Sequence, residues 1–200
     1  MKEKAENPAS LLKEHEASSV LRLYFELCHL KQIYRQGWLQ RGIPPERCES
    51  VAEHSYAVAM LAMFVAEEHF PELDSLKVLR LALLHDFGEI DVGDLTPSDG
   101  VGKAEKSRME RESVERVCCF SPMGDLFIEL WKEYEAGETP ESKFVRQIEK
   151  LEMALQAAVY EKQGSEGLGG FYESAEREIE QGQLRKILEE LRRLHAEKNH

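Results

Sequence analysis

The feature that most constrains this chain is the spacing of its apolar residues. From about Leu11 to Gln36, residues Val20, Leu23, Tyr24, Leu27, Leu30, Ile33 and Tyr34 recur every three or four positions, which predicts an amphipathic helix stopped by Gly37. No stretch alternates with a period of two for long enough to make a strand. Start and stop signals continue the helical pattern down the chain. Ser50 and Glu53 stand at capping-box separation, so a helix should begin at Val51 and end near Phe70 and Pro71. Asp74 can cap the next, which runs through Leu84. Lys103 to Cys119 is a charged helix. Ser121-Pro122 and Thr139-Pro140 carry the cap and first-position proline of two more, the second reaching about Lys162. The expected fold is all-α, a bundle of about seven helices.

Two hundred residues suit one domain with a self-sufficient core. The expected organisation is a flexible arm over 1–10, a body over 11–163, a Gly-rich link over 164–170, and a C-terminal amphipathic helix over 171–200. That last helix carries Ile179, Leu184, Ile187, Leu188, Leu191 and Leu194 on one stripe. So much apolar surface should pack on its own domain or on a second subunit. With 26 basic against 38 acidic residues and a net charge of −12, a nucleic-acid polymer is a poor partner. A small anion remains possible if cations are local. The first residues offer no apolar core for a signal peptide, and no later run approaches the roughly 20 apolar residues of a membrane span. A cytoplasmic location is expected. Cys28, Cys48, Cys118 and Cys119 form no C-x-x-C pair, so free reduced thiols are expected.

Chemistry concentrates between Leu81 and Pro97. Val78 to Leu84 is apolar almost all round, as a helix buried in a core is, and it delivers His85 and Asp86 at its end. Charge buried there is costly unless paired or bound to a metal, and imidazole with carboxylate is a common ligand set for a divalent ion. Glu89 returns to the same face on a continuing helix, which makes it an acid-base or supporting candidate. Asp94 follows in a segment broken by Gly93, Pro97 and Gly100 that has the marks of an irregular loop. His54 sits in the first turn of the preceding helix, and antiparallel packing would set that helix start beside the His85 helix end. A lone histidine is more often structural than a ligand. His15, His29 and His69 have no company like that of His85 with Asp86, Glu89 and Asp94, and are expected to be surface or core residues. The connection Trp38 to Glu49, with Arg41, Arg47 and two prolines, is richer than a linker needs and is expected to face a substrate.

In this order, the residues resemble the H…HD…D pattern of the HD-domain metal-dependent phosphohydrolases, and most closely their 5'-deoxynucleotidase-like branch. The likeness runs through Glu49 to Ser55, through His85, Asp86 and Glu89 with Val92 to Pro97, and through Glu105 to Glu110. It continues in Leu130 to Glu135 and Phe144 to Gln156, and covers roughly residues 20 to 175. The resemblance implies an HD-domain helical bundle that hydrolyses deoxyribonucleoside 5'-monophosphates, one divalent metal ion per chain (Mn, Co, Mg, Zn or similar), and a homodimer.

The same resemblance implies roles. His54, His85 and Asp86 would hold the metal. The family's fourth ligand is an aspartate, and this chain has Glu149 in its place, with a carboxylate about 1.5 Å further from the backbone. Glu89 would do acid-base work or orient a cation. Asp94 would position the attacking water or bond the sugar. Arg35 or Arg41 would meet the phosphate, and Trp38 would pack on the sugar, although Arg35 and Trp38 are not adjacent as the matching pair is in the bacterial enzymes. Packing at a helix end is the plainer expectation for Trp38. Lys103, Lys106 and Arg108 suit a solvated helix face equally well. Two alternatives stay open: an HD hydrolase of another nucleotide, such as a pyrophosphate or cyclic phosphodiester, and a noncatalytic metal-binding regulator. Intact Glu89 and Asp94 speak against the second, because a dead site has no need for acid-base groups.

Overall fold

In the computed structural model, which describes residues 2–13, 15–180 and 182–197, the helices are α1 (Ser19–Leu27), α2 (Gln36–Gln40), α3 (Val51–His69), α4 (Ser75–Leu84) and α5 (Glu89–Val92). They continue as α6 (Lys103–Cys118), α7 (Gly124–Ala136), α8 (Pro140–Lys162), α9 (Gly169–Glu178) and α10 (Gln183–Glu197). Met1, Glu14, Gln181 and residues 198–200, which include the ends of the expected arm and tail, lie outside the described residues. No strand occurs among the described residues, and the all-α expectation holds.

The caps explain where the central helices start. Ser50 Oγ accepts from the Glu53 amide at 3.3 Å, and the Glu53 carboxylate accepts from the Ser50 amide at 2.7 Å, so two open donors at the head of α3 are satisfied reciprocally. Asp74 caps α4, and Thr139 with Pro140 starts α8. α3 then buries Val58, Ala62 and Val65 against α4 and α8. Two apolar clusters result. The larger holds Val58, Leu81, Ile148, Leu151 and Tyr160; the smaller holds Ile33, Val51, Phe87, Ile90, Val114 and Trp131. Along α3, His54 falls between Val51 of one cluster and Val58 of the other; along α4 and its exit, His85 falls between Leu81 and Phe87. The polar residues are therefore set at the seam between the two clusters.

Several local expectations change. The single helix over 11–36 is instead a 3-10 turn (Pro8–Leu12), then α1 started by Ser18, whose side chain accepts from the Leu21 amide, then a second 3-10 turn (Cys28–Lys31). Gly37 does not stop a helix but lies inside α2. α7 begins two residues after Pro122, because Gly124 lies so close to the Cys118 carbonyl that a side chain would strike it. The described part of the N-terminal arm is docked: Lys2 and Gln36 exchange two hydrogen bonds at 3.1 and 2.9 Å, and the Lys4 amide donates to Gln32 O at 2.6 Å. Gly169 and Gly170 belong to α9 rather than to a link.

The C-terminal helix is two helices, α9 ending at Glu178 and α10 starting at Gln183, and its stripe turns inward. Ile179, Leu184 and Leu188 are buried in the larger cluster, while Leu194 stays exposed. Burying each such side chain stabilises the docking by roughly 1.5–3 kcal/mol.

Candidate active site

His54 enters from the first turn of α3 and His85 caps the end of α4, as antiparallel packing of the two helices requires. Both are buried. His85 Nδ1 lies 2.7 Å from the Ala82 carbonyl; a carbonyl only accepts, so Nδ1 carries the proton and Nε2 keeps its lone pair. That Nε2 is 3.1 Å from Asp86 Oδ2, and His54 Nε2 is 3.8 Å from the same oxygen. One ligand atom from each of the three residues lies within 4.8 Å of the others. Among the described residues neither Nε2 makes a well-directed hydrogen bond, although His85 Nε2 stands in ion-pair range of Asp86. Buried polar atoms are seldom left so, and two nitrogens with a carboxylate oxygen suit a divalent ion. The residues fit a metal.

The supporting contacts agree with this. His54 Nδ1 is 2.8 Å from Glu152 Oε2, the carboxylate backing that fixes a ligand imidazole. Burial, and then Arg35, push the His54 pKa down to about 4, so its ring is neutral and able to ligate at pH 7. Burial also opposes charge on His85, but Asp86 outweighs it and the pKa is raised; a proton and a cation compete for that ring. Glu49, His54 and Glu152 form a second close grouping. Its carboxylates are already spent, Glu49 on Trp38 Nε1 at 2.7 Å and Glu152 on His54.

Glu149 is not among the three converging groups. Its Oε2 accepts from the Tyr134 hydroxyl at 2.8 Å and its Oε1 from Lys150 Nζ at 2.7 Å. Burial would raise its pKa, but Lys150 and His85 together pull it down to about 2. The ionised group lines the same cleft as Asp86.

Arg35 organises the other carboxylates. Its Nη1 donates to Asp94 Oδ1 at 2.8 Å and Asp86 Oδ2 at 3.3 Å, and lies 3.8 Å from Glu89 Oε1. Asp94 Oδ2 accepts from the Gln36 amide at 2.5 Å, so both Asp94 oxygens are engaged with the chain. Glu89 differs. It is 2% exposed, its Oε2 has no partner, and burial, followed by Asp86 and Asp94, raises its pKa well above the usual carboxylate range.

The substrate-facing expectations separate. Trp38 is only 1% exposed, with its ring 3.9 Å from that of Phe171 and 5.1 Å from that of Tyr160; it packs in the core and reaches the cleft only at its edge. Arg41 lies along the cleft and donates to Gly167 O at 3.4 Å. The cleft is about 460 Å³, within the range of small-molecule sites, and its wall includes Arg35, Arg41, Lys106, Lys150 and Arg177. These cations occur in a chain of net charge −12, so the positive charge an anionic ligand needs is local. The free cysteines are as expected: Cys48 and Cys118 are buried, and none is paired. His29 is structural, its Nδ1 2.6 Å from Ile90 O.

The sequence motifs did not single out Glu152 behind His54 or Phe171 at the cleft. Glu152 had one usable signal, its place one turn beyond Glu149 on the same helix.

Comparisons with known proteins bear on this geometry. The family model described as "HD domain" matches residues 27–192. The human protein named 5'-deoxynucleotidase HDDC2 is 36% identical over 183 residues, which is 88% of this chain and 86% of that protein. The 5'-deoxynucleotidase hdd1 of Schizosaccharomyces pombe is 39% identical over 142 residues, 68% of this chain and 69% of that one. Among solved structures, a conserved hypothetical protein from Pyrococcus furiosus superposes with a TM-score of 0.72 at 34% identity, covering 86% of this chain and 99% of the other.

Proposed function

This chain belongs to the HD domain family, and from that premise we propose that it is a metal-dependent phosphomonoesterase that releases phosphate from deoxyribonucleoside 5'-monophosphates. The observation that carries the proposal is the pair of buried imidazole nitrogens without well-directed hydrogen bonds, His54 Nε2 and His85 Nε2, converging on Asp86 Oδ2 in a cleft lined with cations. His54, His85 and Asp86 would hold one divalent ion per chain, with Glu149 offering a fourth ligand, a carboxylate, from the wall of the same cleft. Such an ion, when bound, makes water nucleophilic at neutral pH and stabilises charge on phosphoryl oxygens.

The chain's own groups account for the remaining needs. Glu152 and the Ala82 carbonyl hold the two imidazoles in orientation. Burial beside Asp86 and Asp94 pushes the Glu89 carboxyl well above the usual carboxylate range, against the pull of Arg35 and Lys106, and its Oε2 makes no hydrogen bond among the described residues; both suit a group that gives a proton to a leaving alkoxide. Arg35 offsets the charge of Asp86 and Asp94, and Asp94 in turn fixes the Gln36 backbone at the cleft edge.

Sugar choice follows from the apolar wall. Phe171, with Trp38 behind it, is the aromatic surface in the cleft. A 2'-hydroxyl pressed there without a partner costs roughly 1–3 kcal/mol, about one to two decades in kcat/KM. A homodimer and a cytoplasmic location belong to the same reading. α10 spends most of its stripe on its own domain, so a second subunit would need another face, and the exposed Val20, Leu21 and Tyr24 of α1 offer one. No described helix is long and apolar enough to cross a membrane.

The deciding experiment measures phosphate release from paired ribo- and deoxyribonucleoside 5'-monophosphates with a panel of divalent metals. Deoxyribonucleotides should be preferred by about tenfold or more. Equal kcat/KM for the two sugars removes the deoxynucleotidase reading, and no release with any metal removes the phosphatase.

A further inference from the structure

α6 is pressed against the turn that carries the site. A Cβ built on Gly88 would lie 2.6 Å from Glu110 Cβ and 3.0 Å from Glu110 O, closer than side chains tolerate, so the turn and the helix meet almost backbone to backbone. Lys106, one helical turn before Glu110, is thereby fixed in place. Its Nζ donates to Leu95 O at 3.2 Å and stands 3.4 Å from Glu110 Oε1 and 3.9 Å from Glu89 Oε1. The basic start of α6 is therefore not one uniform solvated face. Arg108 is bonded at the surface to Glu105 and Glu112, and Lys103 is exposed. Of the three, Lys106 alone lines the cleft.

We propose that Lys106 is a substrate-binding residue whose ammonium receives the phosphoryl oxygens of the bound monoester, with Glu110 and the Leu95 carbonyl as its positioning groups. This rests on the reading of the cleft as a phosphomonoesterase site. The other cations near the acidic end are engaged. Arg35 Nη1 is shared among Asp94, Asp86 and Glu89, and Lys150 holds Glu149. Lys106 has three donors, and its one close hydrogen bond goes to a neutral carbonyl. Its carboxylate neighbours stand beyond the roughly 2.7–2.9 Å of a tight charge-assisted bond. The side chain keeps 34% of its surface open. A compact ammonium with three rotatable donors can meet phosphoryl oxygens as a point charge. Because Glu110 and Leu95 place it before substrate arrives, no reorganisation is needed at the moment of reaction.

The test uses the metal-loaded protein with Lys106→Ala, Lys106→Arg and Glu110→Gln, and Lys103→Ala as control. It reads kcat and KM on a deoxyribonucleotide and on p-nitrophenyl phosphate, bound metal, the pH profile, and the Kd of inorganic phosphate by calorimetry. Lys106→Ala should lower kcat/KM by about 100-fold and weaken phosphate by about tenfold or more, with metal content unchanged. Lys106→Arg should recover part of both, Glu110→Gln should show a smaller loss of the same kind, and Lys103→Ala should change nothing. A folded, metal-loaded Lys106→Ala with the parent's phosphate Kd overturns the proposal, as does a shifted pH profile alone, which would mean the lysine acts only on Glu89. If Lys106→Ala does not fold, Lys106→Met keeps the stem and is judged by the same phosphate Kd. Should the parent hydrolyse no monoester, the function reading fails by itself, while phosphate calorimetry still decides for or against Lys106.

Discussion

The meeting of α3 with α4 and the segment from Arg35 to Glu49 contain the same kinds of side chain with opposite fates. Around Arg35 the polar atoms are spent within the chain: Asp94 gives one oxygen to Arg35 and the other to the Gln36 amide, and Trp38 Nε1 is bonded to Glu49. Where α3 meets α4, His54 Nε2, His85 Nε2 and nearby Glu89 Oε2 are buried without well-directed hydrogen bonds among the described residues. Each unsatisfied buried group costs about 1–3 kcal/mol. A fold keeps three of them close together only if something outside the chain completes them. It is a cluster of unspent hydrogen-bonding groups that separates the two regions; a lone one, such as His29 Nε2 beside Glu3 at 3.6 Å, does not mark a site.

The sharpest way to break this comparison is His85→Ala. The side chain removed makes one bond to the chain, through Nδ1 to a carbonyl, so the fold should survive. Metal content should be lost, and turnover should fall by at least about 10³-fold. Elemental analysis alongside phosphate release checks both, and a variant that keeps its metal would remove His85 from the ligand set.

Glu89→Gln should keep the metal and lower kcat by about 10²–10³-fold. The raised pKa of Glu89 gives the direction of a pH effect as well. A general acid works only while it holds its proton, so the parent's kcat should fall as pH rises through that raised value. The variant should lack this alkaline limb. An unchanged pH profile in Glu89→Gln would assign the proton transfer to another group.

Asp94→Asn probes the spent region and should show the reverse pattern. It leaves Arg35 buried with less countercharge, and breaking such a pair costs about 3 kcal/mol, roughly a hundredfold in the folding equilibrium. Metal bound per folded chain should hold. Denaturant titration reads the first and elemental analysis the second; full stability with lost metal would place Asp94 among the working groups instead.

What the sequence made legible follows the range of each interaction. The Ser50 and Glu53 cap, the Thr139-Pro140 start and the His85-Asp86 pair are local, and each lies where its spacing placed it. The contact of His54 with Glu152 spans 98 positions and depends on how α8 crosses α3, which no local pattern encodes. Trp38 was drawn from the cleft into the core by Phe171, Tyr160 and Glu49, all brought by tertiary packing. The break between α9 and α10 was hidden because apolar residues keep helical spacing on both sides of it. Lys106 and Arg108 look equivalent in sequence, and only the close approach of Gly88 to Glu110 turns one of them toward the cleft.

Glu149 stands between the two regions, and the smallest expected effect tests it most finely. It lines the working cleft with Asp86, yet both its oxygens are engaged, by Tyr134 and Lys150, as a scaffold residue's would be. To serve as the fourth ligand it must exchange one of those bonds for the metal, so its contribution should be modest, with Glu149→Gln weakening metal binding about tenfold. Glu149→Asp draws the carboxylate back by about 1.5 Å and should restore affinity relative to Glu149→Gln, because the charge is kept and the longer reach is removed. Tyr134→Phe separates the roles without touching the carboxylate. If Glu149 is a ligand, freeing Oε2 tightens metal binding. If it is scaffold, stability falls and metal affinity does not move. Glu149→Gln with the parent's metal affinity and turnover would place Glu149 with Asp94, among the groups the chain has already satisfied.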